Sequence, residues 1–265
     1  MLNKELVFIL LLLIGSRAGA EPCVAIAGLE PLRGAQTILI GEMHGTNEMP
    51  AFTSKLACHL LAQQQAVTVA LELPHSWTAA MQQASDLRMA LKQAGWNSYW
   101  QDGRTSAAML QLIETVTALR TTGADITLLT FDVDQPPADG KRDHAMAARL
   151  QQAIQQQPER VYVVLTGNLH ARNKRDSHPF AKEPMALLLG HALPTRRQLS
   201  LLGHYNNGTA WACFAEAGCG AQPLTGKTQS TLQGIAGWRD PELTAIGYDA
   251  AFYLGTISAS APATL

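Results

Sequence analysis

Runs of basic residues are missing from this chain of 265 residues, in which 20 lysines and arginines face 21 aspartates and glutamates for a formal charge of −1. Nucleic-acid binding needs a basic patch that meets the phosphate backbone, so that class of partner is not indicated. No segment beyond the N-terminus is apolar for the roughly 20 residues that a transmembrane helix needs. We therefore expect a soluble mature protein that binds no nucleic acid.

The motifs of several enzyme classes are also absent. The chain contains no Gly-x-Ser-x-Gly elbow, no GxGxxG fingerprint, no P-loop and no HExxH zinc motif. Because the cysteines are expected to be oxidised, no protein nucleophile is evident. If the protein is a hydrolase, water is then the attacking group.

The N-terminus is typical of an export signal. Lys4 precedes the apolar run Leu6–Ile14, which is too short to span a bilayer, and small residues lead up to Ala20. We predict cleavage after Ala20, which places the protein in the periplasm or outside the cell. A lipid anchor at Cys23 is the weaker alternative, because the residues before it form a poor lipobox. The expected organisation is a signal peptide at residues 1–20 and a single α/β domain at residues 21–265.

Four cysteines remain after this cleavage: Cys23, Cys58, Cys213 and Cys219. An even number in an exported protein favours disulfides. The simplest pairing joins Cys213 to Cys219 across a short loop and Cys23 to Cys58 near the mature N-terminus. A metal site is the alternative, although the spacing fits no CxxC-type pattern.

Short apolar segments alternate with longer helical patterns. Strands are predicted at Thr37–Gly41, Val67–Leu73, Ile126–Phe131 and Val161–Thr166, with further candidates at Leu199–Gly203, Thr209–Phe214 and Ala250–Leu254. Helices are predicted from about Met49 to Gln64, near Thr78–Ala94 and Ser106–Thr121, and at Arg142–Gln156. This alternation is typical of an α/β fold with a mainly parallel sheet and helices on both faces.

Polar side chains lie at or just after the C-terminal ends of the first four predicted strands. In chain order they are Glu42 and His44, then Glu72 and His75, then Asp132 and Asp134, and finally Asn168 and His170. In open parallel sheets, ligands bind in the crevice outside the carboxyl ends of the strands. We therefore expect these distant residues to converge on one site.

The segment after the first strand also has a purely structural interpretation. Thr46 or Asn47 is a possible N-cap for the following helix, with Glu48 in its first turn. This interpretation leaves Glu42 unexplained, because a carboxylate that ends a buried strand is costly without a partner. A carboxylate and an imidazole two residues apart can instead share a proton or a metal ion.

Glu72 and His170 carry the same ambiguity. A salt bridge to Arg104 or Arg142 would explain a buried Glu72, and it is compatible with a role in orienting a histidine or activating water. A single histidine at a strand end, such as His170, is more often structural than catalytic. Asp143 opens a helix and suits the helix dipole.

These segments together resemble a superfamily that includes erythromycin esterases of the EreA type, ChaN-like haem-binding proteins and the TIKI/TraB group. The resemblance rests on ILIGEMHGTNEMPAF, VALELP, RDHAMA and VVLTGNLHARN, and it covers Thr37 to about Asn173. It implies an α/β core with a cleft that holds two glutamates, two histidines and two arginines: Glu42, His44, Glu72, His170, Arg104 and Arg142. Esterase-like members imply water activation, TIKI-like members a metal-dependent protease, and ChaN-like members haem binding.

The leading hypothesis is an exported hydrolase of an ester- or peptide-type bond, with a small-molecule or peptide substrate. His44 would be the general base, Glu72 would orient it or hold a divalent metal, and His170 would be a second acid, base or ligand. Arg104 and Arg142 would stabilise developing negative charge. The alternative is a haem- or iron-binding protein that draws on Met43, His44, Tyr99 and Trp100. A third hypothesis is an inactive domain that serves in protein binding.

Overall fold

Four apolar segments form the parallel centre of a seven-stranded sheet in the computed structural model. They are β1 (Thr37–Glu42), β2 (Val67–Pro74), β3 (Ile126–Asp132) and β4 (Val161–Gly167). Every residue of β1, β2 and β4 is buried, because helices cover both faces of these strands. The structure describes residues 23–25, 27–175, 182–214, 218–226, 234–236 and 239–265, and the expected signal peptide lies outside them.

The strand order brings sequence-distant strands side by side. It runs β3-β2-β4-β1-β5-β9-β8, where β5 is Gln198–His204, β9 is Ala250–Tyr253 and β8 is Gly234–Ala236. The first six strands in this order are parallel, and β8 pairs antiparallel with β9. Glu42 is directly opposite Gly167 in the register of β1 and β4, so the polar ends of these strands lie at one edge.

Helices pack on both faces of the sheet, as the sequence predicts. One apolar core contains residues of α1 (Glu48–Ala62), α2 (Trp77–Gln83), α3 (Leu87–Gln93) and α4 (Ala107–Thr121). The other core contains residues of α5 (Arg142–Gln156) and α6 (Met185–Ala192). The connections after β1 and β2 therefore pass to one face and the connection after β4 to the other, which opens a crevice at the strand ends.

The predicted helical segment near Thr78–Ala94 is divided into α2 and α3. Ala84 takes an extended conformation, with ψ 136°, after the last residue of α2. The Asp86 side chain then caps α3 by accepting a hydrogen bond from the backbone N–H of Met89. A capping carboxylate favours a new helix start over continuation, which is the physical reason for the break. None of the helices in the described ranges is long and apolar enough to cross a membrane.

The C-terminal third adds a hairpin that forms a second, two-stranded sheet. It consists of β6 (Asn207–Phe214) and β7 (Gly218–Thr225), and the short helix α7 (Pro241–Ala245) follows later in the chain. The two hairpin strands place Cys213 directly opposite Cys219, and these residues form a disulfide. Cys23 is bonded to Cys58, so both predicted pairings are confirmed.

Candidate active site

The polar strand ends meet at the carboxyl edge of β2, β4 and β1, which are neighbours in the sheet. Glu42 ends β1 and His44 follows it, Glu72 lies near the end of β2, and His170 follows β4. These four residues line a cavity of about 340 Å³ together with Arg104 and Arg142. The residues that the sequence predicts as a site are therefore brought together.

Glu42 and His44 form a hydrogen-bonded pair. His44 Nδ1 donates to Glu42 Oε1 over 2.8 Å, and the Glu42 carboxylate is almost completely buried. The His44 side chain is 23% exposed, which leaves its Nε2 edge toward the cavity. The buried strand-end carboxylate thus has the partner that its burial requires.

Gly45 makes the turn after this pair possible. Its φ of +73° lies in the left-handed region, and a Cβ atom there would collide with the carbonyl oxygen of Trp211. The Trp211 backbone N–H donates to the Gly45 carbonyl over 2.8 Å. Glycine at this position therefore lets the β6 strand pack directly over the end of β1.

Glu72 is held by donors on both of its oxygens. Oε2 accepts from the Thr166 hydroxyl over 2.6 Å and from the Gly167 N–H over 2.7 Å, and Oε1 accepts from Arg142 Nη2 over 2.6 Å. Burial alone would raise the pKa of Glu72, but the surrounding cationic and donor groups hold it well below its ordinary value. His44 Nε2 lies 3.7 Å from Oε2, which is an electrostatic contact and not a hydrogen bond.

Asp132 fixes the two arginines. Arg142 donates to it from Nε over 2.8 Å and from Nη2 over 2.7 Å, and Arg104 Nη1 donates to Oδ2 over 2.9 Å. Asp102 holds the other edge of Arg104, with Nη2 2.7 Å from Oδ2. Burial would lower the pKa of both guanidinium groups, but the adjacent carboxylates raise it, so both remain cationic.

His170 connects Arg142 to a further acid. Its Nε2 lies 2.9 Å from Arg142 Nη1, and its Nδ1 lies 2.8 Å from Asp143 Oδ1. A guanidinium is a donor only, so Nε2 must accept and the ring proton must be on Nδ1, where it donates to Asp143. The contacts therefore indicate one tautomer of His170, with hydrogen on Nδ1.

The charge of His44 follows from its two carboxylate neighbours. Burial lowers the pKa of this ring, but the charges of Glu42 and Glu72 outweigh that effect and raise the pKa to about 10. At neutral pH the ring is therefore an imidazolium in the substrate-free site. It becomes a strong base once its proton is removed.

Asp132 joins this network, as its strand-end position predicts, whereas the sequence does not predict Asp102 and Asp143 as site residues. Asp132 ends a buried strand as Glu72 does, so the same pattern pointed to it. Asp102 lies in a turn, and Asp143 has a sufficient explanation as a helix-start acid, so neither had a distinguishing pattern. Trp211, which lines the cavity from β6, had none at all.

Other polar residues considered at the strand ends lie apart from this network. His75 Nδ1 pairs with Asp134 Oδ2 over 2.6 Å at an exposed position. Asn47 stands at the N-cap position of α1 but makes no side-chain cap hydrogen bond, and its amide instead donates to Ser258 and Ala259. Glu48 lies in the first turn of α1, as expected.

The residues considered for haem do not share one cavity. Met43 and His44 line the charged cavity, whereas Tyr99 and Trp100 line a different one of about 330 Å³. Trp100 is 65% exposed, and the Tyr99 hydroxyl points toward Asp132 at 3.5 Å. This arrangement does not supply the common apolar face that a haem needs.

The donor set does not fit a divalent metal either. Within the described ranges, no group of three or more His, Cys, Asp or Glu side chains is arranged to hold an ion. Glu72 is already bound by a guanidinium, a hydroxyl and a backbone N–H, and Glu42 by His44. We therefore derive no step through a metal.

Comparison with solved structures identifies the fold. A succinoglycan biosynthesis protein matches with a TM-score of 0.62 and 10% identity, over 92% of this chain and 94% of its own. A mutant of the erythromycin esterase EreC in its open conformation matches with a TM-score of 0.57 and 10% identity, over 89% of this chain and 94% of its own. The resemblance to erythromycin esterases is thus confirmed at the level of the α/β fold.

Haem-bound ChaN of Campylobacter jejuni aligns less well, with a TM-score of 0.36 and 14% identity over 67% of this chain and 84% of its own. That similarity is too low to support an argument about haem. No protein-family model and no curated protein sequence matches this chain. Since folds host many reactions, the function has to be argued from the site.

Proposed function

We propose, from the fold shared with an erythromycin esterase and from the Glu42–His44 pair, that this protein is an exported hydrolase. It cleaves an ester- or peptide-type bond with an activated water. The observation that carries the proposal is the position of His44: its Nδ1 is bound to Glu42 and its Nε2 faces a cavity that also contains two guanidinium groups. This combination offers a base and an anion-stabilising pair in one cavity.

The proposed reaction has two steps. The reactive form has His44 without its Nε2 proton. In this form the water oxygen attacks the carbonyl carbon while Nε2 takes the water proton, and the carbonyl oxygen becomes an anion beside Arg104 and Arg142. The bond to the leaving group then breaks, and His44 gives its proton to the departing oxygen or nitrogen. The products are a carboxylic acid and an alcohol or amine, and the protein returns to its starting state.

Glu72 and His170 act as supports in this scheme. Both oxygens of Glu72 already accept hydrogen bonds, so the carboxylate orients Arg142 and balances the charge of His44 instead of taking the proton from water. The Nε2 lone pair of His170 accepts from Arg142, so a second proton-transfer role would require that contact to break. We assign to His170 the positioning of Arg142.

The raised pKa of His44 sets the expected pH dependence. The ring must lose its proton to act as a base, so kcat/KM should rise by about tenfold per pH unit from pH 7 and level off near pH 10. A rate that is flat at neutral pH and falls above pH 10 would instead assign His44 as an acid.

The two disulfides fit an oxidising compartment, either extracellular or periplasmic. We propose that residues 1–20 direct the chain there, with cleavage after Ala20, and that residues 21–265 act as one domain. N-terminal sequencing of the exported protein tests the cleavage position. A mature chain that begins elsewhere would correct it.

The hydrolase proposal is tested with purified protein, a panel of p-nitrophenyl esters of increasing acyl length and a panel of peptide anilides. We expect turnover of at least one substrate, and a loss of at least about 100-fold for His44→Gln. His75→Gln is the matched control, because this histidine also follows a strand end but pairs with Asp134 outside the cavity. Equal turnover by His44→Gln, or no turnover of either panel by the unmodified protein, counts against the proposal.

A further inference from the structure

A larger cavity adjoins the charged one. It has a volume of about 710 Å³ and lies at the carboxyl ends of β1, β5 and β9, beneath α7. The two cavities share Glu42, Met43 and Asn168 as lining residues. Glu42 also binds His44, so a molecule that fills the larger cavity ends beside the proposed reacting position.

The size and lining of this cavity suit an organic ligand. Cavities of about 300–1,000 Å³ enclose most of a drug-sized molecule. Leu202, Leu243 and Ile246 contribute apolar surface, and Tyr205 and Tyr253 contribute aromatic rings. Ile246 is 45% exposed, so its side chain is accessible from the cavity.

Among the described residues, the side chains of Asp and Glu outnumber those of Lys and Arg around this cavity. Its ionisable carboxylates are Glu42, Asp240 and Glu242, and no lysine or arginine is among its described lining residues. His44 pairs with Glu42, Asp240 accepts backbone hydrogen bonds at the start of α7, and Glu242 is exposed. Carboxylates next to tyrosine rings attract a positively charged group and repel an anionic one.

We propose that this larger cavity binds the body of the substrate, and that this body is amphipathic and neutral or cationic, with anionic molecules excluded. The inference rests on the proposed function, because it assumes that the bond to be cleaved lies in the cavity beside His44. It narrows the substrate class from any ester or peptide to one without negative charge near the scissile bond.

The test measures binding with probes that cannot be hydrolysed, so its outcome is independent of turnover. Three naphthalene probes are titrated against the purified protein by fluorescence; they differ only in a terminal trimethylammonium, hydroxymethyl or carboxylate group. We expect the ammonium and alcohol probes to bind at least about tenfold more tightly than the carboxylate probe. Equal or tighter binding of the carboxylate, or no binding of any probe at millimolar concentration, overturns the inference.

Two variants locate the binding. Ala245→Trp fills the cavity from α7 and should weaken the ammonium probe at least about tenfold, whereas Ala192→Trp, at an exposed position on α6, should not. Glu242→Lys should reverse the preference toward the carboxylate, and Glu159→Lys, another exposed acid, should leave it unchanged. Unchanged binding by both cavity variants, with native circular dichroism, would show that the probes bind elsewhere and would overturn the assignment. Probe binding without hydrolysis would reject only the proposed reaction.

Discussion

Asp143 Oδ1 lies 2.8 Å from His170 Nδ1 and fixes which nitrogen of that ring carries the proton. The other nitrogen is then free of hydrogen and accepts from Arg142 Nη1 over 2.9 Å. Asp143 is itself held by the backbone N–H of Met185. An acid that does not itself line the cavity thereby controls the orientation of a guanidinium that does.

Replacing Asp143 by Asn should therefore disturb Arg142 through His170. The amide can present its NH₂ group to Nδ1, which favours the tautomer with hydrogen on Nε2 and sets that hydrogen against the guanidinium. We expect the ¹⁵N chemical shifts of the His170 ring to exchange their pattern and turnover to fall at least about tenfold. Asp139→Asn, an exposed acid in the preceding loop, is the control, and unaltered ring shifts in Asp143→Asn would refute the tautomer assignment.

The buried carboxylate of Glu72 should be far more important for stability than an exposed one. Replacing it by Gln removes the charge that faces Arg142 and leaves one acceptor oxygen for three donors, which are Thr166, Gly167 and Arg142. Breaking a buried ion pair costs about 3–5 kcal/mol in the free energy of unfolding. Glu114→Gln, which breaks the exposed pair with Arg88, should cost about 0–1 kcal/mol. Urea unfolding compares the two, and similar losses would contradict this prediction.

The protonated state of His44 should make stability depend on pH. The folded pKa of about 10 lies above the ordinary value of 6.5, so the stabilisation is fully present below pH 6.5 and is lost as the pH rises toward 10. The slope should be on the order of 1 kcal/mol per pH unit in that window. Urea unfolding at several pH values checks it, with His44→Gln as the reference. If the free energy of unfolding changed with pH in the same way in both proteins, the pKa of His44 would not be raised by folding.

The two disulfides should differ in what they stabilise. In the loop-closure model, the 35-residue separation of Cys23 and Cys58 is worth about 4 kcal/mol and the six-residue separation of Cys213 and Cys219 about 2 kcal/mol. Removing the Cys213–Cys219 disulfide should nevertheless reduce turnover more than removing Cys23–Cys58. The reason is that Trp211, in the same hairpin as Cys213, lines the charged cavity. Thermal unfolding and turnover of the two double-serine variants test this order. A hairpin variant with full turnover would show that the disulfide does not hold that wall.

The first four strands could be located from sequence to within a residue or two because their burial on both faces leaves a continuous apolar run. Thr37–Glu42 and Val161–Gly167 are examples, since all their residues are buried. The hairpin strand β7 has no such run, because its residues are mostly exposed and, within the described part of the chain, it pairs with β6 alone. Its composition therefore predicts neither the strand nor its pairing with β6.

The sequence by itself determined which residues lie at strand ends, because each apolar run marks a buried strand. In a parallel sheet, the C-terminal ends of such strands lie at the same edge. It also determined that Glu42 and Glu72 needed partners, since a buried carboxylate is costly alone. Only the tertiary structure decided which residues those partners are. With the strand order β2-β4-β1, Arg142 contacts Glu72 and Asp143 contacts His170. Both glutamates lie close to His44 and raise its pKa. Such pairings depend on strand order and on distances of a few ångströms between segments far apart in the chain, and no local pattern records either.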